Sequence, residues 1–181
     1  MNASKKELLG NVLETALSWL VALAMFIYGI AKPLQFSNME PKQKIIAELS
    51  GMELMWSFYG YSISYPIFIG ILEVGGACLL LFRRTRLLAC LLLSSILLNI
   101  ILQDIIYEVK RGALRAAIFY QLSLLIIAYR YKGQLIEVFM KLTQKPDSKF
   151  VFSKKIKMLG LAFLLLIVLR LVEFFISNYK G

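Results

Sequence analysis

The residues able to do chemistry are few, and most of them lie inside apolar runs. Glu73 stands in Ile71-Leu-Glu-Val-Gly-Gly76, and Asn99, Gln103 and Asp104 follow in the next apolar run. Lys32 closes an earlier run, while Arg115 and Gln121 belong to a later one. An ionisable group at bilayer depth must be paired, protonated or hydrated, so Glu73 is the candidate proton acceptor. Its candidate cationic partners are Lys32 and Arg170, and Arg170 can also pair with Glu173 three residues on. Asn99 and Gln103 are four residues apart and share a helix face, with Tyr107 one turn further. Lys32, Glu73, Asn99, Gln103, Asp104, Arg115 and Gln121 are therefore expected to line a polar pocket for a small headgroup. The plainer alternative is interhelical glue, since buried amides and hydroxyls bond across membrane helices for about 0.6–2 kcal/mol each. Glue explains a midplane carboxylate least well.

Other chemistries find little support. The chain has no histidine, the commonest metal ligand and the usual general base near neutral pH. Cys78 and Cys90 both fall in apolar runs without a CxxC spacing, so they read as buried structural thiols and not as a dithiol relay. No metal site, covalent cofactor or redox centre is expected, and the reading leans away from an enzyme.

The elements that must position these groups are membrane helices. The 181 residues are 59% hydrophobic and 18% charged, more apolar and less charged than a soluble domain. Five runs are long enough to span, given a need for roughly 17–25 residues each: 15–31, 64–82, 87–107, 113–129 and 158–177. Residues 1–14 form a polar interfacial segment, 15–130 a four-span core and 131–157 a basic linker, with a fifth span and short tail in 158–181. Lys42–Leu49 and Gln134–Leu142 read as short amphipathic helices. The turn at Arg83-Arg-Thr-Arg86 is so short that its flanking spans must be antiparallel neighbours.

The net charge of +10 does not indicate nucleic acid, because the cations cluster in the connections between spans. With the amino terminus inside, 13 of the 21 Lys and Arg residues fall on the inner side. The positive-inside rule then puts the amino terminus in the cytoplasm and the carboxyl terminus outside. The inner half of the core, with Leu79–Leu81 and Leu87–Leu93, reads as almost purely apolar. Trp56, Tyr59 and Tyr61 come from an aromatic run, Gly51–Ser62, and are expected to form an interfacial belt.

These residues resemble the DoxX-like family of small membrane proteins. The resemblance rests on Gly29-Ile-Ala-Lys32, on Ile71–Gly76, on the Leu81–Leu87 turn, and on Gly51–Ser62 with Asn99 and Tyr107-Glu-Val109. It covers residues 15–130 and implies an all-α integral membrane fold, a four-helix transmembrane bundle to which this chain adds a fifth helix. It also implies a bacterial inner-membrane accessory subunit of an oxidoreductase or maturation system, holding a quinone or lipid headgroup from the outer side. The electrons of any quinol oxidation would go to a redox partner protein. The alternatives are a chaperone that binds a client protein through the 33–61 and 130–157 segments, and a small transporter.

Overall fold

The computed structural model describes residues 3–37, 48–144 and 152–178, and every regular element among them is helical. They are α1 (Ala3–Ser37), α2 (Gly51–Tyr61), α3 (Ser64–Leu81), α4 (Arg86–Ile106), α5 (Arg111–Arg130), α6 (Lys132–Thr143) and α7 (Phe152–Asn178). Five are long and apolar enough to cross a bilayer: Ser4–Ser37, Ser64–Leu81, Arg86–Ile106, Arg111–Arg130 and Lys155–Ser177. The chain is a multi-pass membrane protein. The expected helix at Lys42–Leu49 lies mostly outside the described residues, as do Lys145, Lys149 and Lys180 of the basic segments.

The chain divides into two compact units, residues 1–138 and 139–181. In the first, α1 packs on α3 and α5, while α4 packs on α3 and α5, which closes a four-helix ring. Connections of four residues join α3 to α4 and α4 to α5, short enough to make each pair antiparallel. Lipid is as apolar as leucine, so close packing holds such a ring where the hydrophobic effect cannot. Its centre is a layer of Val21, Met25, Leu80, Leu93, Leu97, Leu124 and Ile127. Helices α1 and α3 meet backbone to backbone: a Cβ on Gly29 would lie 2.7 Å from the Gly70 carbonyl oxygen, and one on Gly70 would lie 2.5 Å from that of Gly29. Only glycine at both positions permits this crossing.

Helix α1 runs unbroken from Ala3, so the expected boundary after residue 14 falls inside it. Helix α2 starts with a capping box, in which Ser50 and Glu53 bond each other's backbone amides. It lies against α1 and α3. Phe36 stacks on Tyr59 at 4.8 Å between ring centroids and meets Trp56 edge-on at 5.5 Å. Tyr59 is consequently buried and Trp56 half-buried, while Tyr61 is 92% exposed. Of the three expected belt residues, only Tyr61 faces outward freely. Helix α4 ends in a Schellman turn: Glu108 is left-handed at φ 51° and the Val109 amide returns to the Asp104 carbonyl.

In the second unit, the side chains described in α7 are exposed within the chain. Arg170 donates to Glu173 at 2.6 Å, three residues on, as their spacing predicts. Of the cysteines, Cys90 is buried as expected, but Cys78 is exposed on the outer surface of α3 because its neighbours Gly76 and Ala77 take the inward positions.

Candidate functional site

The glycine crossing decides where Glu73 goes. Gly70 and Glu73 are three residues apart on α3, and a Cβ on Gly29 would touch the Cβ of Glu73 at 3.2 Å. Glu73 is thereby driven into the ring and is 0% exposed. Lys32, three residues beyond Gly29, reaches back along α1 and donates to Glu73 Oε1 at 2.6 Å. No loop has to fold back for this, since α1 is still helical at Lys32 despite Pro33. The second carboxylate oxygen, Oε2, has no hydrogen-bond partner among the described residues. A buried polar atom in that condition costs about 1–3 kcal/mol.

A chain of hydrogen bonds lies beside this pair. Tyr59 donates to Gln103 Oε1 at 2.7 Å, and Gln103 Nε2 donates to Asn99 Oδ1 at 2.7 Å. Burial pushes the Tyr59 phenol above its ordinary value. The neighbouring Tyr65, Glu73 and Asp104 add to the rise. Among the described residues, Asp104 is buried with Oδ2 unpartnered, and Gln121 is buried with Oε1 unpartnered. Asn99 and Arg115 are exposed. Among the described residues no hydrogen bond or ion pair links Arg115 to the set, so its expected place on the rim is not seen. Tyr59 takes a position in the polar chain that its aromatic neighbours hid. Over the crossing runs an open apolar cavity of about 430 Å³, lined by Gly29, Ile30, Pro33, Ile67, Gly70, Ile71, Val74 and Gly75.

A second polar cluster closes the ring where α1 begins. Glu14 is 3% exposed. Its Oε1 accepts from Arg86 Nη1 and from the Tyr131 hydroxyl, each at 2.7 Å, and its Oε2 accepts from Arg130 Nε at 2.7 Å. Arg86 Nε also donates to the Leu80 carbonyl at 3.1 Å. Asn11 Oδ1 accepts from Arg130 at 2.9 Å and from Arg83 at 3.3 Å. Burial and the bond to Glu14 raise the Tyr131 phenol. The expectation of an almost purely apolar inner half thus fails at its rim. The signal was present, because alternating helix directions bring the starts of α1 and α4 and the end of α5 to one level, where an acid meets two arginines.

The two clusters differ chemically. Glu14 is saturated and holds three helices together. The Glu73 set is left with unpartnered acceptors and could receive a hydrogen-bonding ligand. Among the described residues no group of three or more His, Cys, Asp or Glu could hold a metal ion.

In sequence, the chain is 30% identical over 137 residues to the uncharacterized protein YwoB of Bacillus subtilis, covering 74% of this chain and 85% of that protein. No family model matches the chain. No solved structure matches it either.

Proposed function

The chain belongs to the YwoB family, and from the resemblance of its own residues we propose that it is a DoxX-like accessory subunit of a membrane oxidoreductase or maturation system. In this reading it resides in the bacterial cytoplasmic membrane with the start of α1 inside. Its site around Glu73 holds the headgroup of a quinol or lipid, and the partner protein carries the redox centre. The observation that carries the proposal is Glu73 Oε2, wholly buried beside Lys32 yet without a hydrogen-bond partner among the described residues. Asp104 Oδ2 and Gln121 Oε1 share that condition, and all three are acceptors. The ligand must then bring donors, so hydroxyl-bearing headgroups fit better than the bare carbonyls of an oxidised quinone. The apolar cavity over Gly29 and Gly70 supplies a slot for a hydrocarbon tail. On two-electron oxidation of a quinol, Glu73 would take one hydroxyl proton, the second would leave to water, and both electrons would pass to the partner's redox centre.

Native mass spectrometry of protein extracted gently from its own membrane, with identification of bound quinols and lipids, tests this. The wild type is expected to carry a stoichiometric hydroxyl-bearing ligand that Glu73→Gln loses. Equal occupancy in both proteins would remove the pocket. Bare protein bound to another polypeptide would favour a chaperone that binds a client.

A further inference from the structure

Where α1 begins, the ring carries more positive charge than Glu14 can balance. Three guanidinium groups, from Arg83, Arg86 and Arg130, share this one carboxylate and the neutral amide of Asn11. Arg86 is spent on Glu14 and Leu80. Arg83 and Arg130 differ from it. Both are reachable from outside, and both donate to the same Asn11 Oδ1, so two like charges converge on an atom with no formal charge. Glu14 lies 2.7 Å from Arg130 but carries one charge against three guanidiniums, so it relieves their Coulomb repulsion only in part and a further anion is favoured beside Arg83 and Arg130. Each guanidinium has five N–H donors in a planar fork. Among the described residues Arg83 spends one of them and Arg130 spends two. The remaining donors suit a phosphate, which such forks bind in bidentate fashion.

The position selects the source of the phosphate. Arg83 lies just beyond α3, Arg130 is the last residue of α5, and both therefore stand where apolar spans end. Leu8 and Val12 on α1 and Phe82 beside Arg83 are exposed around them. A soluble anion would leave those side chains uncovered, whereas acyl chains would cover them. We propose that Arg83 and Arg130, joined through Asn11, form a specific binding site for the phosphate of an anionic phospholipid. Basic pockets between membrane helices recognise such headgroups by the same chemistry.

The test uses the full chain purified in a neutral detergent and titrated with phosphatidylglycerol or phosphatidylcholine, with bound lipid counted by native mass spectrometry. The wild type should bind phosphatidylglycerol at least about tenfold more tightly, because both lipids offer the same phosphate but Arg83 and Arg130 repel the choline cation of phosphatidylcholine. Arg83→Gln should lose most of that preference, and Arg84→Gln, which removes a neighbouring charge outside the cluster, should keep it. Asn11→Asp would place a carboxylate between the two guanidiniums, keeping the helices clasped while excluding the lipid, and it guards against misfolding as the cause of any loss. Equal losses in Arg83→Gln and Arg84→Gln would reduce the site to a diffuse positive field and overturn the proposal. So would an absence of headgroup preference, or inorganic phosphate at millimolar concentration displacing the lipid completely.

Discussion

Two buried carboxylates in one helix ring, Glu14 and Glu73, have opposite surroundings. At 1.5 Å per residue the level of Gly29, and with it Glu73, lies about 22 Å along α1 from Glu14. Glu14 accepts hydrogen bonds from two arginines and a tyrosine, which fill both of its oxygens. Glu73 has one lysine on one oxygen and, among the described residues, nothing on the other. Both are nearly or wholly inaccessible, so burial alone does not separate a structural acid from a functional one. What separates them is hydrogen-bond completeness, because native structures rarely leave a buried polar atom without a partner unless it has another use.

The largest way to sharpen this contrast is Glu14→Gln. The amide keeps the shape but removes the charge that balances Arg86, whose side chain is 3% exposed. Leaving one partner of a buried pair uncompensated costs about 3–5 kcal/mol. Thermal unfolding in detergent should show that loss, and Glu73→Gln should cost clearly less because Lys32 sits near the end of its span and can turn its ammonium outward. If the two variants were equally destabilised, the distinction between a saturated clasp and an incomplete site would collapse.

A smaller effect is expected at the crossing. Gly70→Ala places a methyl 2.5 Å from the Gly29 carbonyl oxygen, and backbone cannot swing aside as a side chain can. Overpacking of this kind costs about 1–3 kcal/mol. It should also part α1 from α3, lengthen the Lys32–Glu73 bond and lower occupancy of the site. Gly75→Ala meets nothing within 4 Å, and since alanine favours helix by about 1 kcal/mol over glycine, it should be neutral or stabilising. Unfolding midpoints of the two variants side by side would show whether the contact or the loss of glycine matters.

The fold was legible to the extent that it depends on local pattern. Spans expected at 64–82, 87–107 and 113–129 match α3, α4 and α5 within about two residues, because long apolar runs and short basic turns are unambiguous. Glu73 stood out for the same reason, as a lone acid in an apolar run, and Lys32 was among its two candidate partners. Glu14 did not stand out. An acid near the start of a run reads as the polar edge of a span, and its partners lie 72 and 116 residues away in sequence. Tyr59 was obscured by the aromatics around it, because composition does not say which ring of a cluster turns inward; the stack on Phe36 decides that.

The finest comparison sets two phenols against each other. Tyr131 donates to the Glu14 carboxylate and Tyr59 to the Gln103 amide, both at 2.7 Å. Hydrogen bonds to charged groups contribute about 1.5–3 kcal/mol and neutral ones about 0.5–1.5. Tyr131→Phe should therefore cost about 1 kcal/mol more than Tyr59→Phe in unfolding experiments near neutral pH. Both phenols are raised above the ordinary value of 10.0 in the folded chain. A raised value means that the folded state holds its proton more tightly than the unfolded state. The contribution is then complete below pH 10.0 and is lost as pH climbs from there through the folded value. Subtracting the alkaline unfolding profile of each Phe variant from that of the wild type isolates each phenol. A profile for Tyr131→Phe that parallels the wild type above pH 10.0 would mean that Tyr131 does not donate to Glu14. Glu14 would then hold only its two arginines, one on each oxygen, and would still differ from Glu73, whose Oε2 has no partner among the described residues.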